Sequence, residues 1–130
     1  MSSTKTRVTK VATVIIPTAD QDRAVEFYVG KLGLEKRVDI PFGNGYRWVE
    51  VGPAGAETTV AIAPPPEGAP TGNSETGVSL YTDDIDGYHT ELEVSGVDVD
   101  GEVSRMGGPV PPMFWLRDPE GNILLVVGNA

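Results

Sequence analysis

The chain has 130 residues, of which 39% are hydrophobic and 22% charged, with no cysteine and a net charge of −9 from 19 acidic and 10 basic side chains. That composition fits one globular domain with an ordinary core. It excludes disulfides, thiolate metal sites and a cysteine nucleophile, and an acidic surface excludes nucleic acid, whose phosphates need a basic face. The longest N-terminal apolar run, Val11 to Pro17, is too short to span a membrane; with the absence of cysteine this predicts a cytoplasmic protein with no membrane partner. The excess carboxylates keep the surface soluble and attract cations.

Residues 1–10 are polar and read as a flexible tail. Val11 to Thr18 is apolar and β-branched, a strand. Asp20 follows as a helix cap, and Ala24, Phe27, Tyr28 and Leu32 recur at helical spacing until Gly33 stops the helix. Strands are expected over 35–40, 46–51 and 58–63. Gly43-Asn44-Gly45 turns between the first two, and Gly52-Pro53-Ala54-Gly55 precedes the third. Residues 64–75 begin with three prolines, which cannot continue a sheet interior, and form a linker or flap.

The pattern then restarts. A strand over 76–82 leads to the cap Asp84 and a helix with Ile85, Tyr88 and Leu92 buried, ended by Gly96. A strand over 97–106, a stiff Gly/Pro loop over 107–112 and strands over 113–117 and 122–127 complete the set. The sole histidine, His89, is expected on the exposed flank of the second helix, away from Leu92. The chain is therefore a degenerate repeat of one βαβββ unit, 11–63 and 76–130, and its class is α+β. Each unit leaves one sheet face to be covered by the other unit, from the same chain or from a partner.

Two segments carry a resemblance. Phe114 to Val127 centres on Asp118-Pro119-Glu120-Gly121, where proline presets φ and glycine accepts a positive one; Ala24 to Leu34 is a helix running into a glycine stop. Together they resemble the vicinal oxygen chelate superfamily of glyoxalases, bleomycin-resistance proteins and extradiol dioxygenases, and the likeness covers nearly the whole chain. It implies two βαβββ modules in an open curved barrel around a cleft, usually in a homodimer that often exchanges modules, with a divalent metal in the enzymes.

The resemblance places four metal ligands at Thr13, Ala61, Gly77 and Leu125 of this chain. None of these supplies a carboxylate or imidazole, and a threonine hydroxyl alone binds weakly. The arginine with which glutathione-dependent glyoxalases hold a carboxylate falls on Pro17. No metal and no cofactor is therefore expected, and glyoxalase I activity is rejected. Other catalytic sets are also missing: there is no G-x-S-x-G, and Asp83-Asp84 and Asp118-Glu120 sit at turns and caps.

The resemblance implies that Thr13 and Leu125, at the family's ligand positions, and Met113 and Trp115 line the cleft; strand alternation adds Ile15, and the internal repeat adds Arg47 and Val49, with Trp48 and Glu50 pointing the other way. Three readings follow. The first is a metal-free binder of a small aromatic or cationic molecule, similar to the drug-sequestering bleomycin-resistance branch. The second is a lyase or dioxygenase with displaced ligands and a divalent metal. The third is a non-catalytic dimeric interaction module. The balance is against an enzyme, and the first reading leads.

Overall fold

The computed structural model describes residues 6–43, 45–72 and 74–129. The first half forms β1 (Thr13–Pro17), α1 (Gln21–Val25) with a π-helical continuation over Glu26–Lys31, β2 (Glu35–Gly43), β3 (Tyr46–Gly52) and β4 (Thr59–Ala63). The second repeats the order as β5 (Glu75–Tyr81), α2 (Ile85–Val94), β6 (Asp98–Val99), β7 (Met113–Arg117) and β8 (Ile123–Val127). Each half makes its own four-stranded sheet, ordered β1-β4-β3-β2 and β5-β8-β7-β6. β1 runs parallel to β4 and β5 to β8, and the other neighbours are antiparallel. Neither sheet closes, so the fold is the α+β, open architecture expected from the repeat.

Alternation along the strands sorts the side chains. Ile16, Val49, Val51, Val60 and Ile62 of the first sheet and Val78, Phe114, Leu116, Leu124 and Val126 of the second enter one continuous core, with Ala24, Phe27, Tyr28 and Leu32 from the first helix and Ile85 and Leu92 from the second. Both sheets thus bury their helix-facing sides in the same core, and their other sides turn outward.

The caps hold as expected. Asp20 accepts from the Arg23 N–H at 3.1 Å and Asp84 from the Gly87 N–H at 3.0 Å. Beyond Val25 the first helix widens, and the Leu32 N–H donates to the Phe27 carbonyl five residues back. The wider turn buries the adjacent Phe27 and Tyr28 together, with their rings edge to face at 5.1 Å.

Two sequence expectations are corrected. The strand expected over 97–106 is only Asp98–Val99, with an isolated bridge between Ser104 and Met113. Asp100 ends it: its carboxylate accepts from the Trp115 N–H at 3.1 Å and from Arg117 at 2.9 Å, so a side chain replaces a ladder carbonyl. His89 is buried, because α2 turns Ile85, His89 and Leu92 inward together. Its Nε2 lies 2.6 Å from the Asp100 carbonyl oxygen, and its ring meets Phe114 edge-on at 4.9 Å. The turn expected at Gly43-Asn44-Gly45 includes Asn44, which lies outside the described residues; Gly43 pairs with Tyr46.

The two halves are stapled at the turn that joins β7 and β8. The buried Asp118 carboxylate accepts from the Tyr28 hydroxyl at 2.8 Å, from Asn122 Nδ2 at 2.9 Å, and from the N–H groups of Glu120 and Asn122, both at 2.9 Å. Asn122 Nδ2 also donates to the Pro17 carbonyl at 3.2 Å. Glu120 accepts the N–H groups of Ala19 and Asp20, at 2.8 and 2.9 Å, at the entrance to α1. Burial opposes the Glu120 charge, but the Asp20 and Ala19 donors, with Arg23 nearby, outweigh it and hold the carboxyl below the usual range. The linker closes over the same turn: Gly72 has φ +80°, and a Cβ there would stand 1.8 Å from the Glu120 carbonyl oxygen.

Tyr28→Phe leaves the buried carboxylate one donor short and is expected to cost about 2 kcal/mol in urea unfolding. Burial first, and then the Asp118 charge, push the Tyr28 hydroxyl far above its ordinary 10.0. The folded chain therefore keeps a proton that the unfolded chain releases. Stability from this group is complete below pH 10.0 and declines above it, and the decline is expected to be shallower in Tyr28→Phe.

Candidate functional site

The outward face of the second sheet is built from alternate residues of three strands. On β7 and β8, Phe114, Leu116, Leu124 and Val126 are fully buried, while Met113, Trp115, Ile123, Leu125 and Val127 are half-buried on the opposite side. The register aligns Trp115, Leu125 and Ser79 in one cross-strand row and Met113, Val127 and Tyr81 in the next. Three of the residues expected from the sequence, Met113, Trp115 and Leu125, thus share one apolar, aromatic face. Arg117 borders it, with its charge held by Asp100 at 2.9 Å and Asp98 at 3.8 Å.

The outward face of the first sheet carries Thr13 and Ile15, also as expected. Thr13 pairs with Thr59, and Ile15 with Ala61. Ile15 is 57% exposed, and Ile40 on β2 is 54% exposed.

β3 has the opposite parity to the one expected. Val49 is fully buried in the core opposite Ile62, so it does not belong to this face. Arg47 points the same way as Val49 and is bound by Asp39 at 2.9 Å and Asp22 on α1 at 2.6 Å. Asp39 first, and then Asp22, raise its already high pKa. Trp48 and Glu50 take the outward positions instead, with Glu50 directly opposite Ala61 on β4 and Val38 on β2. Matching β3 to β7 through the two turns shifted the strand by one residue. The signal that finds the right face is the alternation Val49-Glu50-Val51, which places two valines inside and the charge outside.

Glu50 is the ionisable group at the centre of that face. One carboxylate oxygen accepts from the Thr59 hydroxyl at 2.6 Å and the other from Trp48 Nε1 at 2.7 Å. The Thr59 bond, and then the Trp48 bond, hold its carboxyl below the usual range against a partial burial penalty. Among the described residues no basic side chain pairs with it, so it stands ionised with neutral partners only.

The four positions implied for metal ligands do not fit a divalent ion. Ala61 is fully buried between Ile15 and Glu50. Gly77 has φ +77° at a register shift of β5, a conformation that a ligating L side chain adopts only with strain. Leu125 packs beside Trp115, and the Thr13 hydroxyl is the one oxygen donor of the set. Among the described residues no group of three or more His, Cys, Asp or Glu side chains converges on a metal position.

Two cavities of the single chain lie elsewhere. One of about 740 Å³ follows the first helix beside Phe27, Lys31, Ser95 and Pro119, and one of about 420 Å³ lies between Asp84, Arg105 and Pro112. Neither is lined by Trp115, Leu125, Thr13 or Ile15.

The sequence matches the Glyoxalase/Bleomycin resistance protein/Dioxygenase superfamily over residues 10–126. It is 30% identical to TnmS3, an antibiotic binding protein from Streptomyces sp. CB03234, whose crystal structure aligns with a TM-score of 0.84 over 97% of this chain and 100% of that one. A member of the same superfamily from Sphaerobacter thermophilus DSM 20745 is 34% identical, with a TM-score of 0.85 over 94% of this chain and 98% of that one. The Bacillus subtilis (strain 168) protein YetH is 29% identical over 119 residues, 92% of this chain and 98% of that protein.

The assignment of faces has a simple check in urea unfolding. Phe114→Ala is expected to cost about 3–5 kcal/mol, as for a fully buried aromatic, and Trp115→Ala less, although its side chain is larger. The reverse order would put Trp115 in the core.

Proposed function

The chain belongs to the Glyoxalase/Bleomycin resistance protein/Dioxygenase superfamily, and from that premise we propose that it is a metal-free binder of a small organic molecule, aromatic or cationic, acting by sequestration rather than catalysis. The observation that carries this reading is the character of the outward faces. They present Trp115, Met113 and Leu125 on one sheet and Ile15, Trp48 and Glu50 on the other, and of the four positions that the resemblance implies for metal ligands only Thr13 carries an oxygen donor in its side chain. Aromatic and aliphatic walls with a few polar groups suit a flat or amphipathic ligand and offer no Lewis acid to polarise it. The similarity to an antibiotic binding protein at 30% identity over almost the full chain supports the same reading.

The site is completed by a second copy. The outward faces of the two sheets lie on opposite sides of a shared core, so one chain alone does not close them around a ligand. Two copies place the first face of one chain against the second face of the other. Ile15, Ile40, Tyr46 and Tyr81, each 46–58% exposed, support this as apolar surface left for a partner. Among the described residues no helix is long and apolar enough to cross a membrane, and the absence of cysteine suits a cytoplasmic setting.

Titration with a panel of flat aromatic compounds, cationic and neutral, is expected to give a saturable change in tryptophan emission with at least one member. Trp115→Phe should weaken that binding at least tenfold, and sedimentation should report a dimer. Silence across the panel would overturn the reading. Stoichiometric retention of nickel, zinc, manganese or iron(II) after dialysis would return the chain to the metalloenzymes.

A further inference from the structure

We infer that Glu50 is the cation-recognition group of this site, and that the ligand class it selects is an aromatic molecule carrying a protonated amine. The inference rests on the small-molecule reading above and narrows it to one chemistry.

Three observations carry it. First, Glu50 is a half-buried carboxylate among apolar neighbours: its row is Ile15, Ala61, Glu50 and Val38, Trp48 and Ile40 form the next pair, and Glu35, opposite Gly52 at the end of the sheet, already pairs with Arg37. A charge in that position loses water without gaining a counter-ion. Second, its geometry is fixed. Thr59 at 2.6 Å and Trp48 Nε1 at 2.7 Å each hold one oxygen, which locks the carboxylate and leaves its remaining lone pairs for a donor from outside the chain. The same bond fixes the Trp48 indole beside the charge.

Third, the chain's own cations are spent elsewhere. Arg23 donates to the Pro119 carbonyl and Lys31 to the Ser95 carbonyl. Lys36 pairs with Asp39, Arg37 with Glu35 and Arg47 with Asp22 and Asp39. Arg105 pairs with Asp86, and Arg117 with Asp98 and Asp100. Arg117 is the basic residue on the face that a second copy would bring opposite, and it already has two acids. Among the described residues, Arg7 and Lys10 of the N-terminal segment are the bases outside this set. A carboxylate prepared in this way, in a chain of net charge −9, is matched by a cation that arrives with the ligand. The amine donates its N–H groups to Glu50, and its aromatic body covers the apolar row.

The test is calorimetric titration of the intact protein with 2-(aminomethyl)naphthalene and with its neutral isostere 2-(hydroxymethyl)naphthalene. The amine is expected to bind about tenfold or more tightly than the alcohol, the range of a hydrogen bond to a charged group. Glu50→Gln should remove that preference, with a circular dichroism spectrum and urea midpoint close to those of the unmutated protein reporting that the variant is folded. Glu67→Gln, an identical charge change at an exposed linker position, should keep the preference. Equal binding of the two probes by the unmutated protein would overturn the inference and leave the small-molecule reading standing. So would a preference that survives Glu50→Gln, or one lost equally in Glu67→Gln, which would assign it to the general acidic field. If neither probe nor any other member of the aromatic panel binds, the small-molecule reading fails and this inference falls with it.

Discussion

The architecture depends on one buried carboxylate. Asp118 gathers the Tyr28 hydroxyl, the Asn122 amide and two backbone N–H groups of its own turn, and by doing so ties the first helix to the last hairpin. A buried charge is costly unless its hydrogen bonds are complete, and no buried side-chain nitrogen or oxygen among the described residues lacks a partner. Glu120, two residues on, caps the entrance to α1 from the other half of the chain. Proline and glycine in the same turn give it its shape, and Gly72 lets the linker pass over it. The segment is thus both a hairpin turn and the joint between two sheets.

That joint decides where function can lie. By pressing the helix-bearing sides of both sheets into one core, it leaves their other sides outward, one with Trp115, Met113 and Leu125, the other with Ile15, Trp48 and Glu50. Alternation does the rest, since each strand that supplies the core at one residue supplies the outward face at the next. The positions that the resemblance implies for the superfamily's metal ligands lie on this outward side. Here they carry a buried alanine, a glycine at positive φ, a leucine and a threonine, and the charge on the first face belongs to Glu50 on the neighbouring strand. The proposed binding role follows from this exchange of metal ligands for apolar contact and a single held anion.

Much of this was legible in the sequence. The repeat, both caps and the core positions of the first helix follow from periodicity and turn chemistry, and the shared side of Met113, Trp115 and Leu125 follows from the family resemblance. What was missed has local causes. The face of β3 was read by analogy with β7, when the Val49-Glu50-Val51 alternation in the strand itself carried the answer. His89 was placed on the helix flank away from Leu92, yet it lies four residues after Ile85 and three before Leu92, on their stripe. The early end of β6 turns on Asp100 competing for backbone donors, a side-chain effect that strand propensity does not register. The π-helical turn leaves no mark in the spacing of Ala24, Phe27, Tyr28 and Leu32, which suits an α-helix equally well. The double use of the Asp118 turn is a contact across 90 residues that no local pattern encodes.

Native mass spectrometry of the purified protein, before and after incubation with nickel, zinc, manganese and iron(II) and then with an aromatic amine, tests the central claim most directly. A dimer that keeps no metal and takes up the amine stoichiometrically is the predicted result. One tightly held metal ion per chain would contradict the account, because it would require a ligand set that Thr13, Ala61, Gly77 and Leu125 do not provide.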